Sequence, residues 1–547
     1  MRAVMGRKSV ANIGLALLLL FLLVLSGCGS RGASDGGKPT STLEVPQLDS
    51  GPISGSLQDG IWSFKGIPYA APPVGDLRWK PPQPVEPWQE VRPCTAFGPS
   101  APQASSGSSL LPSGYGEVGP TSEDCLYLNV WTPAATPDDR LPVMFWIHGG
   151  GFTSGSASMF IYDGHNLAGK GVVVVTINYR LGALGFMAHP ALTAESPHDS
   201  SGNYGLLDQI AALKWVRDNI EVFGGDPGEV TVFGESAGGA SVCALMAAPD
   251  SDGLFQRAVV ESGGFFDMGM PVPGAGTLPD AEVRGERIAA ELGCDGSEDV
   301  LACMRAKSVD EILAAQDKEQ GLGLVWSTVD DGWVLPDKPQ DVFAEGRQHK
   351  VPLLIGTNAD EGTIFAPDIS ASDYKLMLAY LYGREYSDVL ALYPVEEGKG
   401  KDAFARLMTG MCFDAPSKFA AACMANVDEP CYLYEFTMTL DDPRLAPLGS
   451  FHGLDIFYIF GNIGSSEGSK LPARPEDMAL SDAMTDYWVN FAKSGDPNGN
   501  GRPQWPAFTI GSDRYQELGR TISARAGYHP ESYDILKAVS GLRAGKE

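Results

Sequence analysis

A serine hydroxyl attacks a carbonyl carbon only when a base takes its proton and an acid orients that base. The stretch Val230-Thr231-Val232-Phe233-Gly234-Glu235-Ser236-Ala237-Gly238-Gly239 presents a serine in a setting suited to this chemistry. Four β-branched or aromatic residues predict a buried strand, Gly-x-Ser-x-Gly follows at once, and 240–247 predicts a helix. A serine on such a strand–turn–helix corner has a strained backbone that holds Oγ clear of the sheet, and the glycines leave it room. The pentapeptide alone is weak, since it also occurs around Ser34 and Ser466. Those copies lie in Gly/Ser-rich stretches without a strand before or a helix after, so Ser236 is the expected nucleophile.

With seven histidines the search for the base is short. In α/β hydrolases the nucleophile comes first, followed by an Asp or Glu and then the His. Of the histidines after Ser236, His452 stands in Gly449-Ser450-Phe451-His452-Gly453-Leu454-Asp455, a turn before an aromatic helix. His349 reads as surface, and His529, near the C-terminus, is the weaker rival. The acid should follow a strand, and Leu353-Leu354-Ile355-Gly356-Thr357-Asn358-Ala359-Asp360-Glu361-Gly362 offers both Asp360 and Glu361. Pattern alone does not separate these neighbours. His148-Gly149-Gly150-Gly151 follows an apolar strand and fits an oxyanion loop, because glycines let backbone N–H groups approach a developing negative charge.

The elements that must carry these residues alternate strand and helix. Strands are expected at 126–131, 142–147, 172–177, 230–233, 257–262, 351–356 and 431–438, and a helix at 205–220. Residues 280–317 read as amphipathic helix, and 487–492 as the closing helix. This alternation predicts an α/β fold with a mostly parallel, twisted sheet covered by helices on both faces. With 44% hydrophobic residues and ten Trp the chain has ample material for one core. No repeat or linker divides it after Thr42, so 43–547 is expected to form a single domain.

The formal charge of −28 disfavours nucleic acid, whose phosphates need clustered Lys and Arg. Arg2, Arg7 and Lys8 precede an apolar run and then Leu25-Ser26-Gly27-Cys28. This pattern predicts a signal peptide over 1–27 with lipidation at Cys28, and hence export and a lipid anchor in a bacterial cell envelope. Residues 28–42 then read as a flexible tether. Export permits disulfides. Cys294 and Cys303 are close enough to staple a local loop. Cys94 with Cys125 would close a long polar segment, a link that adds about 3–4 kcal/mol in the chain-entropy account. Cys243 is expected to be a buried free thiol, and Cys412, Cys423 and Cys431 stay unassigned.

Together these pieces resemble the type-B carboxylesterases, which include the cholinesterases, from about Leu43 to about Tyr533. The most specific stretches are Glu123-Asp124-Cys125-Leu126-Tyr127-Leu128-Asn129-Val130-Trp131, Phe223-Gly224-Gly225-Asp226-Pro227 and the Ser236 pentapeptide. Asn203-Tyr204-Gly205-Leu206-Leu207-Asp208-Gln209 and Asn358-Ala359-Asp360-Glu361-Gly362 also match. The resemblance implies an α/β-hydrolase fold and a triad of Ser236, Glu361 and His452, with Glu361 preferred to Asp360. It further implies oxyanion donors from Gly150, Gly151 and Ala237, a tuning role for Glu235, and disulfides Cys94–Cys125 and Cys294–Cys303. Ser262 is read as structural.

Cholinesterases place a Trp inside the first disulfide loop, where it holds a quaternary ammonium. Residues 94–125 contain no Trp, which argues against choline esters; the loop carries Tyr115 and many small residues instead. Phe365, after the acid, is open between pocket wall and core. The expected function is ester hydrolysis through an acyl-enzyme, with a small-molecule ester as partner and neither metal nor cofactor. Two alternatives use the same fold: a non-catalytic adhesion module, which would lack the nucleophile, and a lipase, which would want an apolar lid.

Overall fold

The computed structural model describes residues 42–104, 118–269, 276–319, 326–464, 471 and 473–542. The signal peptide, Cys28, Ser34, Tyr115 and Ser466 lie outside them. All the described residues belong to one compact unit.

Its centre is an eleven-stranded sheet. In chain order the strands are β1 (Ser56–Gln58), β2 (Ile61–Pro68), β3 (Tyr127–Thr132), β4 (Leu141–Ile147), β5 (Val173–Ile177) and β6 (Gly225–Glu235). They continue as β7 (Arg257–Glu261), β8 (Leu353–Asn358), β9 (Cys431–Phe436), β10 (Arg514–Leu518) and β11 (Ser523–Ala526). The spatial order is β11-β10-β9-β8-β7-β6-β4-β5-β3-β2-β1. From β5 to β10 every pairing is parallel, and antiparallel strands close both edges. The main helices are α1 (Tyr204–Asn219), α2 (Ala237–Ala247), α3 (Leu278–Glu291), α4 (Gly400–Met408), α5 (Ala415–Asn426), α6 (Pro475–Ser494) and α7 (Pro530–Ser540).

The central strands read as continuous apolar runs because both faces are covered. Val143, Phe145, Ile147, Val173, Val175, Val232, Val260 and Ile355 pack into one core. Their chain neighbours Met144, Trp146, Val174, Phe233, Val259 and Leu354 pack into a second core on the opposite face. Successive side chains of a strand point to opposite faces, so one run of sequence feeds both.

The parallel register decides where chemistry can occur. Ile147 lies beside Gly234, Glu235 beside Glu261, and Glu261 beside Gly356. The chain therefore leaves β4, β6, β7 and β8 along one carboxyl edge, the usual place for a site in such sheets. His148-Gly149-Gly150-Gly151, Ser236 and Glu361 all fall on that edge.

Three expectations need correction. Residues 487–492 do not close the fold, because α6 is followed by β10, β11 and α7. The helical stretch 280–317 is three helices, broken where Cys294 and Cys303 form a disulfide. Cys94 and Cys125 are both buried free thiols and form no bridge. Cys94 is tied by its backbone to Ser54 and Lys65, with Arg92 nearby. The buried Arg180–Asp208 ion pair is among the charges that act on Cys125. Cys243 is a buried free thiol.

The Cys294–Cys303 bridge closes a short loop (sequence separation 9) between α3 and the next helix. Replacing both cysteines by Ala should lower stability by about 2–3 kcal/mol, measured as a lower midpoint in urea. An unchanged midpoint would show that packing alone holds the loop.

Candidate active site

Ser236 caps α2 with φ 58° and ψ −123°, a conformation that strains any residue with a Cβ. Two backbone bonds hold it there: Ser236 N–H donates to Glu261 O (2.9 Å), and Ala240 N–H donates to Ser236 O (2.9 Å). The corner closes because Gly238 has no side chain, since a Cβ there would overlap Ile147 O. Gly149 is constrained likewise, as a Cβ would lie 2.7 Å from Glu235 O and 3.0 Å from Ser236 Cβ. The glycine loop can thus press its backbone against the serine.

Three N–H groups are free to serve there. Ala237 is the first residue of α2, where an N–H has no intrahelical acceptor. Gly150 (φ 106°) and Gly151 (φ 61°) adopt left-handed backbone. Among the described residues neither of their N–H groups is taken by an acceptor. His148 is no candidate base. Burial lowers its pKa to about 4, Nδ1 lies 2.8 Å from Gly149 O, and the ring stacks on Tyr179.

His452 is buried, with Nδ1 2.5 Å from Glu361 Oε2. Glu361 Oε1 accepts from the Asn358 N–H at 2.7 Å. Asp360, the neighbour that pattern alone left open, points elsewhere. Its Oδ2 accepts from the Ser450 N–H at 2.9 Å, and its own N–H donates to Ser450 O. Asp360 thus ties its loop to the loop of His452, and of these two neighbours only Glu361 meets the imidazole. His529 lies in another cluster, with Nε2 2.9 Å from Glu435 Oε1 and Nδ1 3.4 Å from Asp414 Oδ2. His349 has Nε2 2.9 Å from Ala248 O, beyond the far end of α2.

The other imidazole nitrogen, Nε2, lies 3.0 Å from Glu235 Oε1. This is a charge contact rather than an aligned hydrogen bond, since neither atom has a hydrogen-bond partner. Among the described residues no hydrogen bond joins Nε2 to Ser236 Oγ. Glu235 directly precedes Ser236 in the chain, at the end of β6.

Sequence reasoning missed two further carboxylates. Asp455, three residues after His452, receives Tyr434 O–H (3.0 Å) and Asn358 Nδ2–H (3.2 Å). Glu261 ends β7 beside Glu235 and accepts from Trp488 Nε1–H at 2.7 Å. The usable signals were the His-x-x-Asp spacing and the shared register of two strand-ending glutamates. Burial raises the pKa of Glu235, Glu261 and Asp455, and mutual repulsion adds to it. Burial works against the charged form of His452, but Glu235 and Glu361 outweigh it and raise its pKa. Phe365 and Phe413 also pack on the ring, with centroids 4.9 and 5.0 Å away. Ser262 is buried with φ 45° and an unpartnered Oγ. Among the described residues no group of three or more His, Cys, Asp or Glu side chains is placed to hold a metal ion.

The imidazolium of His452 should therefore persist above the ordinary histidine pKa of about 6.5. Glu235→Gln removes one flanking carboxylate and should move that titration down by about one unit or more. The Nδ1 proton resonance of His452 reads this directly, and an unmoved midpoint would show that Nε2 does not sense Glu235.

The chain is similar to known esterases along most of its length. The fumonisin B1 esterase of Sphingopyxis macrogoltabida is 39% identical over 85% of this chain and 84% of its own length. The para-nitrobenzyl esterase of Bacillus subtilis (strain 168) is 39% identical over 85% of this chain and 93% of its own. Liver carboxylesterase 1 of Oryctolagus cuniculus is 37% identical over 93% and 94%, respectively. A solved PNB esterase superimposes with a TM-score of 0.80 at 36% identity, covering 90% of this chain and 99% of that one. Residues 40–536 match the carboxylesterase family as a whole. The chain is an ester hydrolase and belongs to the carboxylesterase family.

Proposed function

We propose that this esterase cleaves carboxylic esters through an acyl-enzyme on Ser236, with His452 as base, Glu361 as its orienting acid, and an oxyanion hole of Gly150, Gly151 and Ala237. The observation that carries this reading is the buried His452–Glu361 pair on the carboxyl edge that also presents the strained Ser236. His452 Nε2 leaves Glu235, accepts the Ser236 proton as Oγ attacks the ester carbonyl, and becomes imidazolium. Glu361 at Nδ1 and Glu235 nearby stabilise that charge. The N–H groups of Gly150, Gly151 and Ala237 bind the oxyanion, each worth about 2.7–4 kcal/mol of transition-state stabilisation. The imidazolium then protonates the departing alcohol. Water, deprotonated by the same ring, releases the acid and frees Ser236.

Two relatives are named for an ester of fumonisin B1 and for para-nitrobenzyl esters. Those names support a carboxylic ester as substrate here. We also infer that the enzyme is exported and lipid-anchored to a bacterial cell envelope. Leu25-Ser26-Gly27-Cys28, after a basic and then apolar stretch, supports lipidation at Cys28, and the Gly/Ser-rich segment beyond it suits a tether. Among the described residues no helix is long and apolar enough to cross a membrane.

Hydrolysis of p-nitrophenyl acetate and butyrate should exceed that of the palmitate. Ser236→Ala should lower kcat by about 10⁴-fold or more. Folded wild-type protein inactive on every chain length would instead favour the adhesion-module alternative. Cys28→Ala should move the full-length protein from the membrane to the soluble fraction of its host cell, as read by fractionation. Retention in the membrane fraction would rule out the anchor.

A further inference from the structure

The helical path from Gly400 to Asn426 is interrupted once. Between α4 and α5 the segment Thr409–Asp414 forms a π turn, and its six residues are all buried. Such turns make up well under 1% of residues and concentrate at functional sites. A local cause is visible in the sequence. Pro416 has no N–H, and its ring would crowd the carbonyl four residues back, on Cys412. The wider turn gives that carbonyl room. It is also wedged from outside: a Cβ on Gly410 would overlap Tyr393 Oη and lie 3.1 Å from Ser532 Oγ on α7.

Three of its side chains reach toward the acid–base pair. Thr409 Oγ1 accepts the N–H of Gly362, the residue after Glu361, at 2.9 Å. Asp414 Oδ1 accepts from Thr357 Oγ1 at 2.8 Å, on the strand that delivers Glu361. Phe413 lies 5.0 Å from the His452 ring centroid, inclined to it by 56°, and stacks on Phe365 at 6.1 Å, so two near-parallel phenyls both pack against the imidazole. We propose that the π turn Thr409–Asp414 sets the geometry of the Glu361–His452 pair, with Phe413 as a positioning residue whose aromatic face favours the imidazolium. The inference rests on the esterase reading for its consequence in catalysis, but its geometry stands apart from any substrate.

Aromatic faces attract cations, and the ring becomes cationic when it holds the serine proton. The charged groups facing His452 are Glu235 from the end of β6, Glu361 from the loop after β8 and Asp455 from its own loop. Asp414, in the π turn, acts on Glu361. None of these is altered by a change at Phe413.

The test follows the low-field Nδ1 proton resonance of His452 through a pH titration, beside the pH profile of kcat/KM on p-nitrophenyl butyrate. Phe413→Leu keeps apolar bulk but removes the π face. Incorporation of 3,5-difluorophenylalanine at position 413 weakens the face while keeping its shape, and covers the case in which the Leu variant folds poorly. In both, the resonance midpoint and the acidic limb should fall by about half a pH unit or more. Phe404→Leu, in the same small apolar cluster, should leave both in place. Thr409→Val should lower kcat by about tenfold with little change in KM. Wild-type midpoints in both Phe413 variants, or an equal shift in Phe404→Leu, would overturn the proposal. A wild type that hydrolyses no ester would count against the function above, while a shifted midpoint would still support the positioning role.

Discussion

The structure depends on how closely its backbone packs where β4, β6 and α2 meet. Ser236 occupies a strained conformation because α2 starts directly over the end of β4, and Gly238 lets it come that near. Gly149 lets the next loop fold down against the serine. These contacts between main chains leave no room to add a carbon. Together they hold the glycine loop against the Ser236 corner. The parallel register then brings the acid loop to the same edge, because β8 ends level with β6 and β7.

Around that volume the protein buries carboxylates to hold one imidazole. Glu235, Glu261, Glu361 and Asp455 are all buried, and each has an identifiable reason to tolerate it. Glu361 and Asp455 accept from Asn358, Asp455 also from Tyr434, and Glu261 from Trp488. Glu235 faces the imidazole itself. An isolated buried carboxylate is costly, and paired or hydrogen-bonded ones are much less so. The arrangement favours the cationic form of that imidazole.

Much of this was legible in the sequence, for physical reasons that also mark where legibility ends. The central strands are buried on both faces, so their apolar runs stand out, and their ends fell within a few residues of expectation. Strands β10 and β11 were missed because strands at or next to a sheet edge need little apolar continuity, and Arg514-Tyr515-Gln516-Glu517-Leu518 shows little. Ser236 was distinguishable by its flanking strand and helix. Asp360 and Glu361 were not separable by pattern, since their roles differ only in where each side chain points. His452 and His529 each sit beside two carboxylates, so charge does not distinguish them, and only the position of their loops does. The Cys94–Cys125 bridge was expected from resemblance, whereas both thiols are free. The π turn carried a trace in Pro416, a proline inside an otherwise helical stretch.

The buried acids have a thermodynamic consequence for the whole chain. Glu235, Glu261, Asp414 and Asp455 each hold protons more tightly folded than unfolded, because burial penalises their charge. An unfolded chain would release those protons, so folding takes protons up. By linkage these groups contribute stability that is complete below the ordinary carboxylate range near pH 4. That contribution is lost as pH rises through the folded values, about 6 for Asp455, about 7 for Asp414 and about 8 for Glu235. The pH dependence is opposite to that of carboxylates held in salt bridges, which fail in acid. For these acids mild acidity is the favourable medium, and alkali is the stress.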